Sequence, residues 1–265
     1  MDEPLQPMEP VVWAKAFDDP GWQFEIKWDG LRCLAYAGRD DVRLYGRSGT
    51  CWTDRLGELR AALKGLRQVL DGELVVLRDG RPSFPAVMRR LHHGEGPVHY
   101  MVFDCLFAGG EDLRQAPLVV RQRELLRLPA SPFVHRVEAV AGAGRALFQV
   151  ASESGLEGIV AKRRDAPYES GKSALWRKIK CWRKIRCLVL GVEEAKGEIR
   201  SARLGVEQDG TIVPVGSVGN IGKSAQQGLR RAVARGRTYV DVAYLDWTEE
   251  GSLRHPRWLA LAPPP

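Results

Sequence analysis

The 265-residue sequence contains no apolar run approaching the roughly twenty residues of a membrane-spanning helix. Its first ten residues, MDEPLQPMEP, are acidic and proline-rich, unlike the basic start and apolar centre of a secretory signal, so none is expected in them. Cysteine is scarce and odd in number: Cys33, Cys51, Cys105, Cys181 and Cys187. No two form a CxxC pair, and the five histidines complete no zinc pattern. A disulfide scaffold and a zinc module are therefore excluded. The cysteines read as reduced, structural thiols of a cytoplasmic protein. There is no internal repeat, and the one low-complexity segment is the terminal APPP.

Acidic residues are lacking in one particular window. From Lys162 to Arg186, ten basic residues face only Asp165 and Glu169, a local net charge of +8. The whole chain nets +7, so the remainder is near −1. One concentrated basic block points to a polyanionic partner, most simply nucleic acid or nucleotide phosphates.

What is present is a mixture of periodicities. FEIKW, VRLYGR, GELVVL, HYMVFDCLF, EGIVAKR and LWRKIK read as strands. DRLGELRAALKGL, FPAVMRRL, VVRQRELLRL and GRALFQVASESG carry apolar residues at helical spacings. This predicts an α+β fold rather than a regular βαβ alternation. The texture changes near residue 184. CLVLGVEE, SARLGVEQDGTIVPVGSVG and TYVDVAYLDW are short strands with Gly and Asp turns, joined by one helical stretch, SAQQGLRRAVAR. They fit a small closed barrel such as an OB-fold. The expected division is residues 1–184 and 185–265.

EIKWDGLR, from Glu25 to Arg32, sets Lys27 in an alternating strand pattern before an Asp29-Gly30 turn. By itself it reads equally as a hairpin with a solvated lysine. Downstream lie LYGRSG with Arg47, LDGELVVL with Glu73 and YMVFDCLF with Phe103. Then come EGIVAKR with Glu157 and Lys162, and LWRKIK with Lys178 and Lys180. Each has a bland alternative: a hairpin turn, a core phenylalanine, a strand cap, a solvated edge strand. Their joint order carries the information.

The series KxDGxR, DGE, FD, EGxVxK and WxKxK resembles that of ATP-dependent DNA ligases, in the covalent nucleotidyltransferase superfamily. More closely, it resembles the compact bacterial type related to the ligase module of end-joining enzymes, and the resemblance runs from about Glu25 to Trp258. It implies an adenylation domain of antiparallel sheets with flanking helices, followed by an OB-fold domain. It implies Lys27 as the nucleophile that forms a lysyl-AMP intermediate from ATP. AMP then passes to the 5′-phosphate of a nick, and the 3′-hydroxyl displaces it. A lysine attacks only when neutral, and its ordinary pKa is about 10.4. Burial between Ile26 and Trp28 and the neighbouring Lys178 and Lys180 are expected to depress it. Those two lysines share one strand face and also neutralise charge at the α-phosphate.

By the same resemblance Phe103 and Val160 sandwich adenine and Glu25 reads its edge. Arg32 lies near the ribose and the nick, Arg47 grips the nick 5′-phosphate, and Lys162 belongs to the nucleotide-binding set. Glu73 and Glu157 offer oxygens to Mg²⁺ or Mn²⁺. The implied partners are ATP, nicked double-stranded DNA, and repair or end-joining proteins, with the chain monomeric and nucleoid-associated. Alternatives are an RNA ligase or other nucleotidyltransferase of this fold, or a basic nucleic-acid-binding protein with a degenerate transferase domain.

The C-terminal stretch departs from the pattern. SLRHPRWLALAPPP keeps Arg254, His255 and Pro256 but has LALAPPP where RxDK is expected, and no lysine follows Lys223. That motif orients pyrophosphate in the family. Its replacement leads to the expectation of slow self-adenylylation, with Arg254 as substitute, and competent sealing of pre-adenylated nicks.

Overall fold

In this computed structural model, which describes residues 4–248 and 250–264, the chain divides into two compact units. One ends at Lys180 and the other starts at Cys181. The expected boundary at 184/185 falls inside the first strand of the second unit, Arg183–Ala195.

The strands of the first unit are β1 (Met8–Val12), β2 (Asp19–Ile26), β3 (Leu31–Ala37), β4 (Val42–Gly46), β5 (Gln68–Val75), β6 (Leu77–Arg78) and β7 (Arg81–Pro82). They continue with β8 (His99–Ala108), β9 (Glu111–Asp112), β10 (Val134–Arg136), β11 (Ala139–Gly142), β12 (Gly158–Arg163) and β13 (Gly171–Lys180). The helices are α1 (Gly57–Leu63), α2 (Phe84–His93), α3 (Leu118–Arg123) and α4 (Gly144–Glu153). One sheet has the order β1-β13-β12-β2-β11, and another β10-β8-β5-β3-β4 with β9 beside β8. Pairing in these two sheets is antiparallel except β1 on β13 and β10 on β8. The fold is α+β, as expected.

Period-two alternation decides which face of the second sheet each side chain joins. Cys33, Ala35, Leu70, Leu74, Tyr100 and Val102 turn to one side and pack with Leu59 and Leu63 of α1 and Val87 and Leu91 of α2. Leu34, Val69 and Phe103 turn to the other and meet Met8 of β1 and Trp176 of β13. Each fully buried leucine here contributes about 1.5–3 kcal/mol. The α2 helix starts where Ser83 Oγ accepts from Ala86 N, and it stops at Gly94, whose φ is +80°.

Two expected helices are shorter than their patterns. DRLGELRAALKGL splits into a 3-10 turn at Thr53–Arg55 and α1, and VVRQRELLRL into α3 and a 3-10 turn at Glu124–Arg127. What fixes α3 is an ion pair. Arg121 donates twice to Asp104 of β8, at 2.8 Å each, and both side chains are 0% exposed. The same guanidinium also donates to the carbonyls of Ala116 and Ala166.

In the second unit β14 (Arg183–Ala195), β15 (Glu198–Gln208), β16 (Thr211–Gly219), β17 (Tyr239–Tyr244) and β20 (Arg257–Ala262) form a sheet in the order β16-β15-β14-β17-β20. The short pair β18 (Asp246–Trp247) and β19 (Leu253–Arg254) lies between β17 and β20 in the chain. Helix α5 (Lys223–Ala234) adds Leu229 to a core with Cys187, Leu204, Val218 and Val240. β20 also touches β16, so the sheet curls back toward its first edge, as an OB-type barrel requires. Leu259–Ala262 of the divergent C-terminal stretch lies in β20, paired to β17, and Pro265 lies outside the described residues.

Among the described residues none of the five cysteines is in a disulfide, and burial pushes Cys105 up to about 12 and Cys187 to about 11. No described helix is long and apolar enough to cross a membrane.

Candidate active site

Two glycines bring the motif residues together. At Gly30 an added Cβ would lie 2.0 Å from Leu74 O, so only glycine lets the turn after Lys27 run against β5 and Glu73. At Gly158, φ +148°, a Cβ would lie 2.1 Å from Ile179 O, so glycine is also needed where β12 starts against β13. β2 stops at Ile26, and the expected strand FEIKW does not continue through Lys27. Lys27 still donates its N–H to Gly158 O at 2.9 Å, which sets it beside Glu157.

The result is a cavity of about 350 Å³ in the first unit. Of the expected residues, Glu25, Lys27, Arg32, Arg47, Glu73, Phe103, Val160, Lys162 and Lys178 line it. Glu157 and Lys180 stand beside Lys27. Arg254 is in β19 of the second unit.

Lys27 Nζ lies 2.5 Å from Glu157 Oε2, and Lys180 Nζ lies 3.0 Å from Glu157 Oε1. A single carboxylate thus bridges Lys27 to Lys180. Across β12 and β13, Val160 faces Lys178 and Lys162 faces Trp176, so the alternation puts all four on one sheet face. Burial, then the charges of Lys27 and Lys180, push the Lys178 ammonium below its ordinary range. Loss of water pushes the Glu73 carboxyl up to about 7, against the pull of Arg32 and Lys27, with Asp71 and Glu157 adding repulsion.

At the other end of the cavity Glu25 is buried, with Oε2 2.5 Å from Lys162 Nζ. Burial pushes Lys162 down while Glu25 and Asp104 oppose it. Its Nζ sits 4.0 Å from the Phe103 ring centre and 4.3 Å from that of Trp176, in cation–π contact. Arg32 lies over Phe103 at 4.6 Å and is gripped by both oxygens of Asp71, at 2.5 Å each. Tyr168 donates to Asp71 at 2.6 Å. Arg47 is 66% exposed and lies 3.6 Å from Glu9, another lining residue.

Sequence reasoning did not single out Asp71, Trp176, Tyr168, Gln23, Gln122 or the Asp104–Arg121 pair. Asp71, Asp104 and Trp176 sit inside quoted motifs, DGE, FD and WxKxK, and Gln23 is two residues before Glu25, so these could have been found there. Tyr168, Gln122 and Arg121 are joined to the site by contacts between distant parts of the chain, which no local spacing signals. Among the described residues no group of three His, Cys, Asp or Glu side chains converges as a metal set.

This cavity can hold a planar base near Phe103 and a phosphate chain near Lys27 and Lys178. The ATP dependent DNA ligase domain family matches residues 8–180. The multifunctional non-homologous end joining protein LigD of Pseudomonas aeruginosa is 39% identical over 189 residues, 68% of this chain and 22% of that protein. DNA ligase C1 of Mycolicibacterium smegmatis is 32% identical over 235 residues, 79% of this chain and 67% of that one. A solved mycobacterial DNA ligase D complexed with ATP and MES has a TM-score of 0.65 at 29% identity, covering 98% of this chain and 95% of that one. The chain spans only about a fifth of the Pseudomonas protein's length, 22%, and about a third of that of its Mycobacterium tuberculosis counterpart, 36%. On the match over residues 8–180, this chain belongs to the ATP-dependent DNA ligase domain family.

Proposed function

We propose that the chain seals nicks in duplex DNA at the expense of ATP, with Lys27 as the residue that carries AMP. The observation that carries this reading is one lysine, Lys27, lining a cavity that holds an aromatic ring, Phe103, and a second lysine, Lys178. Lys27 Nζ attacks the α-phosphorus, a P–N bond forms, and the bond to the bridging oxygen breaks as pyrophosphate leaves. That attack needs a lone pair on Lys27 Nζ pointed at phosphorus, so its contact with Glu157 must open first. Lys178 and Lys180 balance the charge that grows on the phosphorus oxygens. Phe103 and Val160 hold the base, Glu25 accepts from its edge, and Arg32, fixed by Asp71, borders the sugar. AMP then moves to the nick 5′-phosphate, with Arg47 as its exposed guanidinium partner. The 3′-hydroxyl attacks that phosphate and AMP departs. In-line positioning and cations supply most of the rate.

Glu73 and Glu157 are the carboxylates that would hold Mg²⁺ or Mn²⁺. They fit a hard cation that keeps several waters. Burial away from water raises Glu73 to about 7, and a bound cation would offset that cost by stabilising its charged form. Such an ion supplies charge neutralisation to the triphosphate when bound. The likeness to end-joining proteins supports strand-break repair as the setting.

Intact-mass analysis after incubation with ATP and a divalent cation tests the reading. It should show a gain of one AMP, absent in Lys27→Ala. Denaturing gels should show sealing of nicked DNA and much weaker sealing of nicked RNA. No adduct on the wild-type chain would refute the proposal.

A further inference from the structure

Gln122 belongs to none of the motifs, yet it joins two parts of the candidate base site. From α3 its Nε2 donates to Glu25 Oε1 at 2.9 Å and to the carbonyl of Phe103 at 2.8 Å. Its Oε1 accepts from Gln23 Nε2 at 2.7 Å, and Gln23 Nε2 also reaches Glu25 Oε1 at 3.0 Å. The amide orientation is forced. Turned over, it would set an oxygen against both a carboxylate and a carbonyl.

The Glu25 carboxylate offers about four acceptor positions. Gln122 and Gln23 both donate to Oε1, and the Lys162 ammonium lies 2.5 Å from Oε2; those contacts stop the group from rotating. Acceptor room remains on Oε2 for a ligand. The same Gln122 nitrogen ties that carboxylate to the backbone of the ring expected to stack on the base, so edge reader and stacking ring are held as one unit.

We propose that Gln122 is a positioning residue that sets nucleobase selectivity through Glu25 and Phe103. This rests on reading the cavity as the ATP site. A base presenting an exocyclic amine, as adenine does, donates to Oε2. A base presenting a carbonyl there, as guanine does, meets a carboxylate that cannot turn away. Gln122 touches Glu25, Gln23 and Phe103 rather than the lysines of the transfer chemistry, so its loss weakens base recognition and leaves the transfer step largely alone. The helix does not depend on Gln122 for its place, because the adjacent Arg121 bolts α3 to Asp104.

The test uses the full chain with Gln122→Met, which keeps volume and loses the amide, and Gln122→Glu, which replaces both donors with acceptors. Adduct formation is timed with ATP and with GTP at varied concentration, alongside melting temperature. The wild type should form an AMP adduct and strongly prefer ATP. Gln122→Met should raise the KM for ATP by about tenfold and narrow the ATP-over-GTP preference by a similar factor, with kcat within about twofold. Gln122→Glu should show a larger loss of preference. A folded variant of either kind that keeps wild-type KM and preference overturns the proposal, as does a fall in kcat alone. A wild type that forms no AMP adduct sinks the ATP-site reading instead, which separates the two failures.

Discussion

Two ion pairs in the first unit use the same groups to opposite ends. Arg121–Asp104 is wholly buried, has two parallel hydrogen bonds, and gives two further donors to backbone carbonyls. Lys27–Glu157–Lys180 shares one carboxylate between two cations whose side chains are 22% and 21% exposed. Arg121 is a planar fork matched to one partner, while each lysine is a point charge on a flexible stem. The first pair uses four of the five guanidinium donors and, wholly buried, has no route to a ligand. The second has more positive charge than its carboxylate neutralises, and Lys27 borders a cavity. The contrast identifies architecture by saturation and chemistry by incompleteness.

The largest expected effect removes the reactive member. Lys27→Ala should abolish the AMP adduct and ATP-dependent sealing while leaving the melting temperature within a few degrees, because a partly exposed pair contributes about 1 kcal/mol or less. The variant should still close a nick that already carries AMP, since that step uses no lysyl adduct. A variant that unfolds would make Lys27 architectural and end the comparison.

Next comes the saturated pair. Asp104→Ala leaves a buried guanidinium without its counter-charge and should cost about 3–5 kcal/mol in chemical denaturation. The double change Asp104→Leu with Arg121→Met should recover most of that loss, since well-packed apolar replacements of buried pairs are often neutral. A loss below about 1 kcal/mol for Asp104→Ala would show that water or another group already serves Arg121.

Glu157→Gln sharpens the contrast at the site itself. It keeps the shape, removes the charge between Lys27 and Lys180, and takes away one of the two carboxylates assigned to the cation. Stability should change by about 1 kcal/mol or less. Single-turnover adenylylation should slow by about a hundredfold. Equal damage to stability and rate would contradict the assignment of this pair to chemistry.

The same contrast explains how much was legible in the sequence. Lys27, Glu73, Glu157 and Lys178 could be read because each sits in the ordered motif series that carries the family resemblance, and the glycines of that series, Gly30 and Gly158, are the ones that let the chain pack closely there. Asp104–Arg121 could not, because neither residue has a local signal that names the other. Gln122 and Glu25 are separated by 97 positions, and so are Tyr168 and Asp71. Among the strands, β3 went unread because its centre, Cys33 to Ala35, is buried on both faces and shows no alternation. β1 was hidden by Pro10, which sits at a register shift on an edge strand, one of the few places a strand tolerates proline. The bridging role of Glu157 was missed because the sequence showed only an excess of lysines, without the geometry that gives two of them one carboxylate.

The smallest expected effect concerns a third pair, neither saturated nor reactive. His99, at the start of β8, has Nδ1 3.0 Å from Nε2 of His135 on the adjacent β10. A hydrogen bond between imidazoles needs one bare nitrogen, so it fails once both rings are cations. Burial, then the His135 charge, push His99 below its ordinary range, while a hydrogen bond with the backbone of Pro132 pulls it up. The unfolded chain therefore takes up the His99 proton at a higher pH than the folded chain. The stability tied to the neutral ring is present above about pH 6.5 and is lost as pH falls below it. Glu73 acts in the opposite sense. Raised to about 7, it takes its proton in the folded chain first, which adds stability as pH falls. The raw pH profile mixes the two, so the informative quantity is the difference between wild type and His99→Gln. Melting temperatures from about pH 7.5 to about pH 5.5 should fall more in the wild type than in His99→Gln. Parallel profiles would mean that His99 keeps the same proton affinity folded and unfolded, and that the pair is only a surface contact.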